Sequence, residues 1–166
     1  MRGIRGIVSS VRTDIAQLWG DGQGRILFFV SLGWFATLGV RIVYPALLPY
    51  ITQEFAISFT TTGGLISVLW FSYAAFQFPG GVLSDRYGNA LVLSSSVAVA
   101  FVAVLALISA PFFWVFVVAT SFLGVGSGLY GTTRITALSD AFPSQETAAI
   151  SLSQAAGNVG NIVLPV

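Results

Sequence analysis

Residues 55–84 contain no charged side chain and neither do residues 87–133; between them lies only Asp85-Arg86. The second run is about 47 residues long. As one straight helix it would reach about 70 Å at ~1.5 Å per residue, against a hydrocarbon layer of ~30 Å. No soluble core accommodates such a run, so it crosses a bilayer twice and folds back near Ser109, Ala110 and Pro111. Asp85-Arg86 then falls in a tight turn between two other crossings. The runs are continuously apolar, without the period-two alternation of a barrel strand, so the crossings are helices. The expected fold class is all-α, a polytopic integral membrane protein.

Composition agrees, with 55% hydrophobic and 8% charged residues where a soluble domain carries about a quarter charged. Five spans are expected, over residues 26–48, 61–83, 90–110 and 112–131, with a fifth beginning near 147. The first four are each close to the ~20 residues of one crossing. Residues 1–25 form a separate N-terminal segment without the apolar run of a signal peptide. There Ile4, Ile7, Val8, Val11, Ile15, Leu18 and Trp19 recur at helical spacing with arginines largely opposite. That is the pattern of an interfacial helix; because Gly3 and Gly6 weaken its first turns, a partly disordered basic tail is the alternative.

Five crossings put the N-terminus, the 84–89 turn and the 132–146 loop on one side. That side collects Arg2, Arg5, Arg12, Arg25, Arg86 and Arg134, while the 49–60 loop and the 109–111 turn carry no basic residue. The positive-inside rule makes the arginine side cytoplasmic. The fifth span stops at Val166 without a flanking charge, so the chain is expected to be an incomplete piece of something longer.

Several functions are excluded by what is missing. With no cysteine and no histidine, thiolate or imidazole metal sites and imidazole acid-base chemistry are ruled out. A net charge of +1 offers no electrostatic case for nucleic acid. No phosphate-binding loop of the P-loop type occurs, and no cofactor is implied. Serines are plentiful, but no histidine, lysine or intramembrane carboxylate is present to activate one, which argues against an enzyme.

The turn after the second span reads Gly80-Gly81-Val82-Leu83-Ser84-Asp85-Arg86-Tyr87-Gly88-Asn89, preceded by Pro79. It resembles the signature loop of the major facilitator superfamily, in sequence and in its place between the second and third crossings. Residues 122–128 with Gly131 resemble that family's glycine-rich fourth helix. Residues 140–146 resemble its loop into helix five. The resemblance covers about residues 26–166 and implies the first five of twelve helices, hence a secondary transporter lacking its C-terminal half. It also implies that Gly81, Asp85, Arg86, Gly88 and Asp140 form a gating cluster, with Gly81 admitting a neighbouring helix and Asp140 the acidic partner; a plain polar turn is the alternative. Asn89 and Ala90 replace the usual basic residues, Thr120 stands where the fourth helix often has arginine, and Leu164-Pro165 lacks the glycine of the antiporter-type motif. Proton coupling through that helix-four arginine therefore does not carry over.

Arg41 is the only charge inside an expected span. Lipid exposure of such a charge costs roughly 2.5–3.5 kcal/mol on insertion scales, so it either faces a cavity or snorkels to the outer surface, about 10 Å away along the helix. A cavity-facing Arg41 suits an anionic group of a small-molecule substrate. Tyr44 shares its face and is a candidate for the same ligand or for an aromatic belt. Tyr73 and Gln77 pair on the second span, for ligand binding or interhelical hydrogen bonding. In the fifth span Ser151, Gln154, Asn158 and Asn161 form an amide stripe facing another helix or a wet pathway. Gly124, Gly128 and Gly131 read as helix-packing positions. The expected function is transport of a small solute, an organic anion, by alternating access across the plasma membrane. The alternative is a small oligomeric channel or structural membrane protein.

Overall fold

In the computed structural model the described residues are 23–164. The expectations for residues 1–22 and for Pro165 lie outside them. Six helices follow in order: α1 Gln23–Ala46, α2 Leu48–Glu54, α3 Phe59–Tyr87, α4 Asn89–Ile108, α5 Phe113–Ala141 and α6 Glu146–Val163. No strand is present among the described residues, and the fold is an all-α helical bundle.

Each break has a local cause. Pro45 and Pro49 lack backbone N–H groups, so α1 cannot continue through Leu47; Pro49 instead occupies the first turn of α2, where no donor is needed. Ser58 caps α3, its Oγ accepting from the Thr61 N–H at 3.2 Å. Gly88, at φ 87°, is the single non-helical residue between α3 and α4, a backbone geometry that costs glycine nothing.

The helices outrun the spans expected from apolarity. α3 and α5 are 29 residues each, about 44 Å at 1.5 Å per residue, which matches a bilayer with its headgroup layers rather than the hydrocarbon alone. Two expectations are corrected as a result. Asp85 and Arg86 lie in the last turn of α3 rather than in a loop, with the Gly88 N–H bonded to Ser84 O at 2.9 Å. Arg134, assigned to a cytoplasmic loop, is inside α5 and buried.

The bundle is apolar outside. Phe59, Phe71, Phe78, Ile108 and Trp114 are each at least three-quarters exposed, a surface that water-soluble monomers rarely carry. Among the described residues four helices, α1, α3, α4 and α5, are long and apolar enough to cross a membrane. α6 is more polar, yet it lies beside α1 and parallel to it: Ala149 packs with Leu27 and Val30, Gly157 meets Trp34, and Gly160 meets Phe35. It therefore runs alongside α1 over the stretch from Leu27 to Phe35.

α5 is the hub, packed on one side against α3 and on another against α4. A Cβ on Gly124 would come within 2.5 Å of Leu69 O, and one on Gly128 would collide with Tyr73 O, both on α3. On the opposite face a Cβ on Gly126 would stand 2.8 Å from Ser96 O of α4. Small residues thus set both contacts, as is usual where no hydrophobic drive separates helix from lipid. The expected close approach at Gly81 falls instead at Gly80, whose added Cβ would lie 3.1 Å from the Leu129 Cα; the one at Gly81 would be an ordinary 3.8 Å from Thr132.

The two ends of the bundle are distinct. Arg25, Asn89, Asp140 and Ala141 line one groove at one end. At the other, Ile51 of α2 joins Leu65, Ala103 and Phe116 in a buried cluster.

Candidate functional site

Arg41 sits near the C-terminal end of α1 and is only 5% exposed. Helical side chains tilt toward the N-terminus of their helix, which carries this guanidinium inward rather than toward the nearer surface. Its Cζ lies 4.1 Å from the Tyr73 ring centroid, 4.8 Å from that of Trp70 and 5.8 Å from that of Trp34. The rings hold the charge by cation–π attraction, worth roughly 2 kcal/mol when desolvated, but they are poor hydrogen-bond acceptors. Nε and Nη1 accordingly remain buried without a partner.

Trp34 carries a second guanidinium. Arg134 of α5, 4% exposed, places its Cζ 4.3 Å from the same ring. Its Nη1 donates to Ser153 Oγ at 3.0 Å and its Nη2 to Gln154 Oε1 at 3.3 Å, both on α6, while Nε has no acceptor. Tyr130 stacks on Trp34 at 6.5 Å, its hydroxyl donating to Val30 O at 2.8 Å. Gly157 makes room for the indole, since a Cβ there would overlap it. Three helices thus converge on one tryptophan that sequence reading left out. The seven-residue spacing of Trp34 and Arg41, two turns on one face, was the available signal.

The other candidates divide. Tyr73 joins the Arg41 cage, ring to ring with Trp70 at 5.6 Å. Gln154 reaches Arg134 and passes a hydrogen bond on to Asn158 Oδ1 at 3.4 Å. Asn158 is exposed, and Asn161 Oδ1 is buried without a partner. The buried face of α6 is Ala149, Ser153, Gly157 and Gly160, so the amide stripe lies beside the packed face rather than in it. Gln77 is half-buried and makes no hydrogen bond among the described residues. Tyr44 is 3% exposed and donates to Thr120 Oγ1 at 2.5 Å, while Thr120 donates to Phe116 O. That hydroxyl ties α1 to α5, outside any aromatic belt.

At the α3–α4 junction Asn89 is the organiser. Ser84 Oγ donates to Asn89 Oδ1, and Asn89 Nδ2 donates to Asp140 Oδ2 at 2.7 Å, joining the ends of α3, α4 and α5. The expected Arg86–Asp140 pairing is absent among the described residues: Arg86 lies over the Tyr87 ring at 5.3 Å. Asp85 and Arg86 are exposed.

Comparison with known proteins settles the lineage. Residues 29–166 match the family model of the Major Facilitator Superfamily. This chain belongs to that superfamily. Over 140 residues it is 30% identical to Protein spinster homolog 1 of Xenopus laevis, a match covering 81% of this chain and 26% of the relative. The chain therefore spans about a quarter of the length of the curated relative it matches. No solved structure matches it significantly.

Proposed function

We propose that this chain is the N-terminal part of a secondary transporter that moves a small organic anion by alternating access. It lies in the plasma membrane with the Arg25 and Arg86 end in the cytoplasm. Family membership supports transport in general, and the apolar exterior supports the membrane setting. One observation carries the substrate assignment: Arg41 is buried with Nε and Nη1 lacking any acceptor. Each buried donor left unmatched costs about 1–3 kcal/mol, and an anionic solute supplies the missing acceptors. Orientation rests on Arg2, Arg5, Arg12, Arg25 and Arg86, since Arg134 lies inside α5 and no longer counts as a loop charge. Asp85 and Arg86, exposed at the cytoplasmic end, are available to latch a partner half in one state of the cycle.

The test is uptake of an organic anion by a carrier that contains this segment, with Arg41→Lys and Arg41→Ala. Loss with alanine and a raised KM with lysine, whose point charge lacks the planar fork, is the expected result. Unchanged kinetics in both would remove the assignment.

A further inference from the structure

The Trp34 indole takes a guanidinium from each of two helices, Arg41 Cζ at 5.8 Å and Arg134 Cζ at 4.3 Å from its centroid. The sum of those two distances is the most by which the guanidinium carbons can be separated. Both side chains are more than nine-tenths buried. Around them, Arg41 Nε and Nη1, Arg134 Nε and Trp34 Nε1 are all buried donors without acceptors. Neutral side chains take the hydrogen bonds of Arg134, and the described carboxylates, Glu54, Asp85, Asp140 and Glu146, sit at helix ends or in the 84–89 region. Two like charges therefore share one ring with no counter-charge among the described residues, and what the site lacks there is negative charge with several acceptor oxygens.

We propose that Arg41 and Arg134 form one seat for a dianion, with the Trp34 Nε1–H as a third donor. This deepens the reading of Arg41 given above and rests on it. The chemistry is that of a doubly charged oxyanion, either one phosphate-type group or a short dicarboxylate. A dianion neutralises both guanidiniums at once through charge-assisted hydrogen bonds, and a monoanion satisfies only one. Gln154 and Ser153 hold Arg134 in place until the anion arrives, which couples occupancy of the seat to α6.

The test is thermal unfolding of the chain in detergent micelles, titrated with inorganic phosphate, succinate or acetate at matched ionic strength. Anions also stabilise proteins by exclusion from their surface, so Arg41→Gln/Arg134→Gln supplies the background. In the wild-type chain phosphate or succinate is expected to bind roughly tenfold to a hundredfold more tightly than acetate, the worth of one charged hydrogen-bonding group. Whichever of the two is favoured identifies the ligand type. R134Q is expected to abolish that preference while acetate still acts through Arg41; R134K is expected to restore part of it, and R41Q to remove all responses. If R134Q keeps the dianion preference, the seat is wrong and the Arg41 reading survives. If R41Q leaves all three responses intact, both fall. Should R134Q fail to fold, a wild-type preference for dianions below about threefold, or no response above the double-variant background, overturns the proposal.

Discussion

Glycine-to-alanine substitutions on α3 and α5 should differ in sign according to what the new methyl group meets. At Gly124 the added Cβ would sit 2.5 Å from Leu69 O, 2.7 Å from Ser72 Cβ and 3.1 Å from Tyr73 N. Two of those neighbours are backbone atoms of a helix, so no side chain can swing aside and the α3–α5 axes must part. Overpacking of this kind costs about 1–3 kcal/mol, offset by about 0.5–1 kcal/mol gained when alanine replaces a helical glycine. The net expectation for G124A is a loss of about 1–2 kcal/mol, roughly 2–8 °C in Tm for a chain of this size. At Gly81 the only nearby atom among the described residues, outside its own helix backbone, is Thr132 Cγ2 at 3.8 Å. G81A therefore keeps the propensity gain of about 0.5–1 kcal/mol and should be as stable as the parent or more so. Tryptophan-monitored thermal unfolding in one detergent reads both. If G124A matched the parent, or G81A lost as much as G124A, the packing described for α5 would be refuted.

Other consequences follow from single contacts. Tyr44→Phe removes a buried bond to Thr120 and should cost about 1 kcal/mol in stability while leaving the affinity for anions unchanged; an affinity loss would return Tyr44 to the site. Asn89→Ala should detach Asp140 from α3 and lower stability by up to about 1 kcal/mol, read as a fall in Tm that Asp140→Ala does not deepen in the double variant. The chain has no cysteine, so single cysteines at Glu54 and Arg86 can report sidedness. In intact cells an impermeant maleimide should label the first and not the second, and the reverse pattern would invert the orientation. Vesicles containing this polypeptide alone should not accumulate solute; uptake there would show that no further segment is needed.

The bundle was legible because lipid imposes a crude rule, uncharged length, that residues 55–84 and 87–133 satisfy without context. Span limits were less so. Apolarity measures the hydrocarbon layer, whereas α3 and α5 stay helical through the headgroup region, and that discrepancy concealed Arg134 in an expected loop. Arg41 was found because a charge inside an apolar run stands out in one dimension. Trp34 was missed for the opposite reason, since an aromatic among aromatics has no contrast until α5 and α6 bring Arg134 and Gly157 against it. Tyr44 shows the limit of face-sharing: three residues from Arg41 on the same helix, it bonds Thr120 on α5 instead. Likewise the motif pointed to Gly81, while a rotation of one residue gives the close approach to Gly80.

The proposed transport of an anion depends on one buried cation, Arg41, receiving the negative charge of the solute. That dependence is measured most directly by the Tm of the wild-type chain against a size-matched set of anionic, neutral and cationic organic solutes, repeated with Arg41→Gln. Stabilisation by anions alone, lost in the variant, is the predicted result. Equal stabilisation by neutral or cationic solutes, or an anion response that survives the loss of Arg41, would contradict it.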